Sequence, residues 1–212
     1  TRISHTAIGA ISFLALEAIG GAITLSYGTT NAMVAIVIAS IVILAVGLPI
    51  AKYATRHGVD IDLLTRGASF GYIGSTITSL IYASFTFILF AIEASIMSSA
   101  LELAFGLPLW LGYIISAVVV IPLVTHGVKL ISRFQLITQP IWIILNILPF
   151  IAIALVDWQK IDIWVAFAGL GEAAAAPGTF APFEVAKFGA ASAVILALMT
   201  QIGEQVDFLR FL

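Results

Sequence analysis

Cysteine does not occur in the 212 residues, which removes disulfides, thiolate metal sites and thiol nucleophiles and says nothing about compartment. Charge is nearly as scarce. Only 9% of residues are Asp, Glu, Lys or Arg and the net charge is −2. No basic run exists to line up phosphate contacts, so nucleic acid is not an expected partner. His5, His57 and His126 lie at the ends of apolar runs without metal-ligand spacing between any two. No nucleophile–base set, phosphate loop or pair of catalytic carboxylates appears in a polar segment. Neither enzyme activity in these residues nor an organic or metal cofactor is expected.

What is present is apolar. With 61% hydrophobic residues and no domain-sized polar stretch, a chain of this length cannot bury its apolar surface in water. The expectation is an all-α polytopic membrane bundle, one transmembrane domain over residues 1–212 with the lipid bilayer as its solvent. Spans are predicted at about 6–27, 32–53, 72–102, 109–124, 134–156 and 188–202, most of them near the ~20 residues a crossing needs. Asn31 is expected to cap the second span, and Pro49 to kink its end. Lys52 to Gly71 reads as a polar loop with one surface turn. Pro108 is placed to begin the fourth span, Pro140 and Pro149 to bend the fifth, and Glu172 to Pro182 reads as loop. The chain begins without Met and has no signal peptide before its first span, so a piece of a longer protein is expected.

Two acids stand where lipid should be. Glu93 lies inside the run Tyr72 to Glu102, and Glu17 lies inside the first span, one turn before Gly20 and Gly21. A carboxylate at that depth costs several kcal/mol unless it faces a bundle interior, a watery cavity or a partner. Glu93 reads as a ligand or ion group, or else as half of a buried structural pair. Glu17 with the glycine pair reads as a broken helix at a site, or as a small-residue contact that lets a neighbouring helix approach. The sixth span offers a second interruption, Thr200-Gln201-Ile202-Gly203-Glu204.

Orientation follows from Lys and Arg. An inside amino terminus puts Arg2, Lys52, Arg56, Arg66, Lys129, Arg133 and Arg210 in the cytoplasm, leaving Lys160 and Lys187 outside. Five spans followed by a sixth, with the first and sixth interrupted, is the pattern of a carrier made of inverted repeats and represented by its first half.

Three segments carry a family likeness. Leu63-Leu64-Thr65-Arg66-Gly67-Ala68-Ser69-Phe70-Gly71 with Gly74-Ser75 resembles the loop between spans two and three of the nucleobase:cation symporters, the cytosine, purine, allantoin and hydantoin permeases. Gly127 to Pro140 looks like their fourth-to-fifth connection, and Asp207-Phe208-Leu209-Arg210-Phe211 is similar to their motif after span six. The resemblance implies two inverted five-helix repeats importing a planar nitrogen heterocycle with Na⁺ or H⁺. It also implies a bacterial inner membrane and a ligand at mid-membrane near Glu17, Gly20, Gly21, Phe90, Glu93, Thr200 and Gln201. Arg66, Asp207 and Arg210 become cytoplasmic anchors or gate residues. This chain departs from the family at three places. Glu93 stands where the family has glutamine, Leu89 near its stacking tryptophan, and Leu198 to Thr200 near its second aromatic. Phe85, Phe87 and Phe90 are the substitutes available for stacking.

The alternative to a carrier is a transporter-like sensory input domain with fused or partner cytoplasmic signalling domains, such as those of a histidine kinase. A small-molecule ligand belongs to both readings.

Overall fold

The structure, a computed structural model, describes residues 13–176 and 178–209. Regular structure among the described residues is helical throughout. In order come α1 (Leu14–Tyr27), α2 (Thr29–His57), α3 (Ile61–Thr65), α4 (Gly71–Phe105), α5 (Leu109–Thr125), α6 (Val128–Val156), α7 (Gln159–Val165), α8 (Val185–Leu196) and α9 (Gln201–Leu209). A wide π turn, Arg66–Phe70, joins α3 to α4, and a tight 3₁₀ turn, Ala197–Thr200, joins α8 to α9.

Four helical stretches are long and apolar enough to cross a membrane: Thr29–His57, Ile61–Phe105, Leu130–Val156 and Val185–Leu209. The chain is thus a membrane-embedded, all-helical protein. Six spans were expected; α1, with 14 described residues, is short of a straight crossing, and α5, with 17, is at the lower limit of one. Large apolar side chains face outward along α2, α4 and α6, among them Ile41, Leu44, Ile77, Phe87, Ile144 and Leu148. Lipid satisfies those surfaces without any cost in exposed hydrocarbon.

Several boundaries differ from those read in the sequence. Helix α2 starts earlier, at Thr29, and runs through Pro49 to His57. The supposed loop Lys52 to Gly71 is therefore mostly helical. Helix α6 begins at Val128 and is continuous through Pro140 and Pro149. Gly20 and Gly21 do not break α1, which stays helical across them. Among the described residues neither seats a neighbour, since no atom of another segment lies within 4 Å of where a Cβ would stand on either. In an apolar medium an open backbone N–H or C=O has no water to turn to, so helical hydrogen bonding outweighs glycine's conformational freedom. The non-helical backbone lies instead at Phe13, just before α1.

The chain divides into two compact units. The first contains residues 13–15, Ile50–Pro140 and 203–209; the second contains Leu16–Pro49 and Ile141–Ile202. Two of the divisions fall directly after a proline, Pro49 in α2 and Pro140 in α6. A proline has no N–H to donate, so each removes one rung from its helix.

In the first unit, α4 and α5 form a hairpin. Gly106 takes a left-handed φ of 68° and its N–H closes α4 on the Glu102 carbonyl at 2.8 Å; Pro108 then starts α5. A Cβ on Gly112 would lie 2.8 Å from the Ser98 Cβ, so only glycine permits this approach. The α3 side of the unit packs on the first half of α4.

In the second unit, Ala32, Ala35 and Ala39 line one stripe of α2. They meet Ala191 and Ile195 of α8 and Ile23 of α1. Small side chains at helical spacing let the backbones come close, the usual basis of helix packing in lipid. Above this core the segment 166–184 folds back over the α1–α2 turn. Thr29 donates its N–H to the Phe167 carbonyl at 2.9 Å and its hydroxyl to the Trp164 carbonyl at 2.6 Å, and the Leu170 N–H reaches the Leu25 carbonyl at 2.8 Å. Asn31 does not cap α2. It is buried inside the helix, donating to the carbonyls of Tyr27 (2.9 Å) and Pro182 (3.3 Å) and accepting the Glu184 N–H at 2.8 Å. One amide therefore ties α1, the loop and the start of α8 together.

Candidate functional site

Glu93 lies well inside α4, half-buried, where the flanking residues Phe90, Ala91, Ile92, Ala94 and Ile96 offer it no polar partner. Its partner comes from outside the helix. The N–H of the fully buried Ala15 donates to Glu93 Oε1 at 2.8 Å. Ala15 belongs to the first turn of α1, whose leading N–H groups have no acceptor within their own helix. The carboxylate thus fills a gap left by the helix start, and the positive end of the helix favours the negative charge. The sequence offered Glu93 as a ligand or ion group, or as half of a buried structural pair. Its partner is a backbone amide, and no side chain in the sequence advertises it.

Phe90, one turn before Glu93, is 44% exposed. Leu89, near the family's tryptophan position, is buried. Glu17 occupies the first turn of α1 and is exposed. Gly20 offers its carbonyl to the Thr24 hydroxyl at 2.7 Å, and Gly21 is exposed in the same helix.

Thr200 and Gln201 stand at the junction of the 3₁₀ turn and α9. The Thr200 hydroxyl donates back to the Ala197 carbonyl at 3.1 Å. The Gln201 Nε2 is shielded from solvent and has no hydrogen-bond partner among the described residues. Ile202, next along, packs on Gly47 of α2. Glu17, Gly20, Gly21, Thr200 and Gln201 belong to the second unit, Phe90 and Glu93 to the first.

Arg66 and Asp207 are both in the first unit. Arg66 opens the π turn, donates from Nε to the buried Ser75 hydroxyl at 3.4 Å, and lies over the Tyr72 ring at 4.9 Å. Three residues on, Ser69 takes φ 74°, a left-handed conformation unusual for a residue with a side chain. Asp207 accepts the Ile61 N–H at 3.3 Å and so ties α9 to the start of α3. Gly203 lets α9 approach: a Cβ there would stand 3.2 Å from the Tyr82 ring. Asp62 accepts the Ser79 hydroxyl, a further tie from α3 to α4. Arg210 lies outside the described residues.

Residues not anticipated from sequence include Tyr82, Asn31 as a three-way bridge, and Lys187. The Lys187 ammonium pairs with Glu172 at 2.5 Å and Glu184 at 2.8 Å, holding the loop to α8. Among the described residues no group of three or more His, Asp or Glu side chains is arranged to hold a metal ion.

These helices and their buried polar ties define the chain as an integral membrane protein whose apolar interior carries a carboxylate. Comparison with protein-family models, with curated protein sequences and with solved structures returns no match.

Proposed function

We propose that the chain is the ligand-binding membrane domain of a cation-coupled secondary carrier resembling the nucleobase:cation symporters. Its six apolar segments form the first half of an inverted-repeat bundle, and its amino terminus is cytoplasmic in a bacterial inner membrane. The observation that carries this reading is the bond from the Ala15 N–H to Glu93. A helix that begins beside an acid brings backbone N–H groups and a charge together, the equipment carriers use at mid-membrane. The 3₁₀ turn Ala197–Thr200 ahead of Gln201 is a second interruption of this kind. Glu93, Phe90, Glu17, Gly20, Gly21, Thr200 and Gln201 are the binding residues of this reading. Na⁺ or H⁺ is the coupling ion, and Arg66, Asp207 and Arg210 serve the cytoplasmic gate.

Uptake of radiolabelled cytosine, uracil and hydantoin by proteoliposomes containing the full chain tests it, with Na⁺ and proton gradients imposed separately. Gradient-driven accumulation that Glu93→Gln abolishes supports the carrier. The burial of Leu89 where the family has a stacking tryptophan favours a second reading, a transporter-like input domain of a signalling protein. A solute that stabilises the protein but is never accumulated selects that second reading.

A further inference from the structure

The sign of the charge at Glu93 narrows the ligand. Among the described residues the ion pairs are Lys160 with Asp157 and Lys187 with Glu172 and Glu184, and none includes Glu93. Helices α1, α4 and α5 contain Glu17, Glu93 and Glu102 and no Lys, Arg or His. The start of a helix carries roughly half a positive elementary charge. Among the described residues it therefore offsets about half of the charge of an ionised Glu93, and no Lys, Arg or His of these helices offsets the rest. Without Glu93 the same amide would draw an anion; with Glu93 in place the site repels one.

The neighbours on the same face of α4 decide between kinds of cation. One turn either side of Glu93 stand Leu89, Phe90, Ile96 and Met97. None offers an oxygen, whereas an alkali ion taken out of water needs a shell of them. An exposed phenyl ring and a thioether suit an organic ammonium, whose charge meets the carboxylate while its carbon frame meets the ring.

We infer that Glu93 recognises the protonated nitrogen of an organic ammonium ligand, with Phe90 against its carbon frame. This rests on the reading that Glu93 faces the ligand. It selects, within that reading, a cationic nitrogen compound over a carboxylate or an uncharged heterocycle.

The test uses the full chain in lipid nanodiscs and thermal unfolding with three probes of one skeleton: 2-phenylethylammonium, 3-phenylpropanoate and 3-phenylpropanamide. Na⁺ is titrated separately in a potassium buffer. The ammonium probe is expected to raise the unfolding midpoint of wild type in a saturable way and the carboxylate is not. In Glu93→Gln the ammonium affinity falls at least tenfold and the carboxylate gains. Glu93→Asp keeps the charge and the order of preference, so it carries the test if the glutamine variant does not fold. Equal protection of wild type by the amide or carboxylate overturns the inference. So does stabilisation by Na⁺ alone at the same concentration, or no protection by the ammonium probe. Ammonium binding without solute uptake would remove the carrier reading and leave this inference standing. Uptake of an uncharged nucleobase unaffected by Glu93→Gln would do the reverse.

Discussion

Gly28→Ala isolates the close approach that seats the 166–184 segment on the α1–α2 turn. Gly28 has φ +82°, and a Cβ there would stand 2.7 Å from the Ala168 carbonyl carbon, closer still to its oxygen. Two separate costs follow. The left-handed backbone costs a residue with a side chain roughly 1–2 kcal/mol. The clash is with backbone, which no rotamer change relieves, so the segment must lift and weaken the adjacent bonds of Thr29 to Phe167 and Leu170 to Leu25. At ~1 kcal/mol for each bond, the total is roughly 3–4 kcal/mol. Gly106→Ala is the control, because Gly106 has φ +68° and nothing within 4 Å of its Cβ position. It bears the backbone cost alone. Unfolding of each variant in mixed micelles by added denaturing detergent gives the two free-energy changes directly. Equal losses from both substitutions would refute the clash argument and the seating of the segment with it.

Asn31→Ala removes three buried hydrogen bonds and strands the Glu184 N–H. The expected loss is roughly 2–4 kcal/mol, accompanied by faster protease cleavage in the segment before Pro182, which limited proteolysis reads. Gly112→Ala forces a Cβ against Ser98 and should destabilise the α4–α5 hairpin by roughly 1–3 kcal/mol. Adding Ser98→Gly recovers part of the loss, and a double-mutant cycle reports the coupling. At Ser69, φ 74° predicts that Ser69→Gly matches or exceeds wild-type stability while Ser69→Val lowers it; thermal melts of the two variants give the order.

Much of the bundle was legible because its punctuation is chemical. Gly106 and Pro108 mark the α4–α5 turn, and the helices on either side, expected at 72–102 and 109–124, are observed within a few residues at Gly71–Phe105 and Leu109–Thr125. Polar residues misled the eye at Lys52 to Gly71. Helices need not stop at the hydrocarbon edge, and α2 continues through Lys52 and Arg56 to His57. Glycine misled it in α1, where the apolar medium enforces helical bonding through Gly20 and Gly21. At the candidate site, the acid was visible and its partner was not. The Ala15 N–H is a backbone group, and only the break at Phe13 frees it for Glu93. Asn31 announced a helix start by its residue type, yet two of its three bonds reach Pro182 and Glu184, over 150 residues away in sequence.

Helix α4 has 35 residues, or about 52 Å at ~1.5 Å per residue, which exceeds a hydrocarbon layer of ~30 Å. Its surplus is not shared equally between the ends. Ser75, Thr76, Thr78 and Ser79 all lie in its first turns, beside Asp62, Thr65 and Arg66, a group suited to the headgroup layer. The stretch from Leu80 to Phe105, whose only charged residues are Glu93 and Glu102, has its midpoint at Glu93. Seated in the headgroup layer, that row of hydroxyls would act as a depth gauge for Glu93, about 20 Å further along the helix.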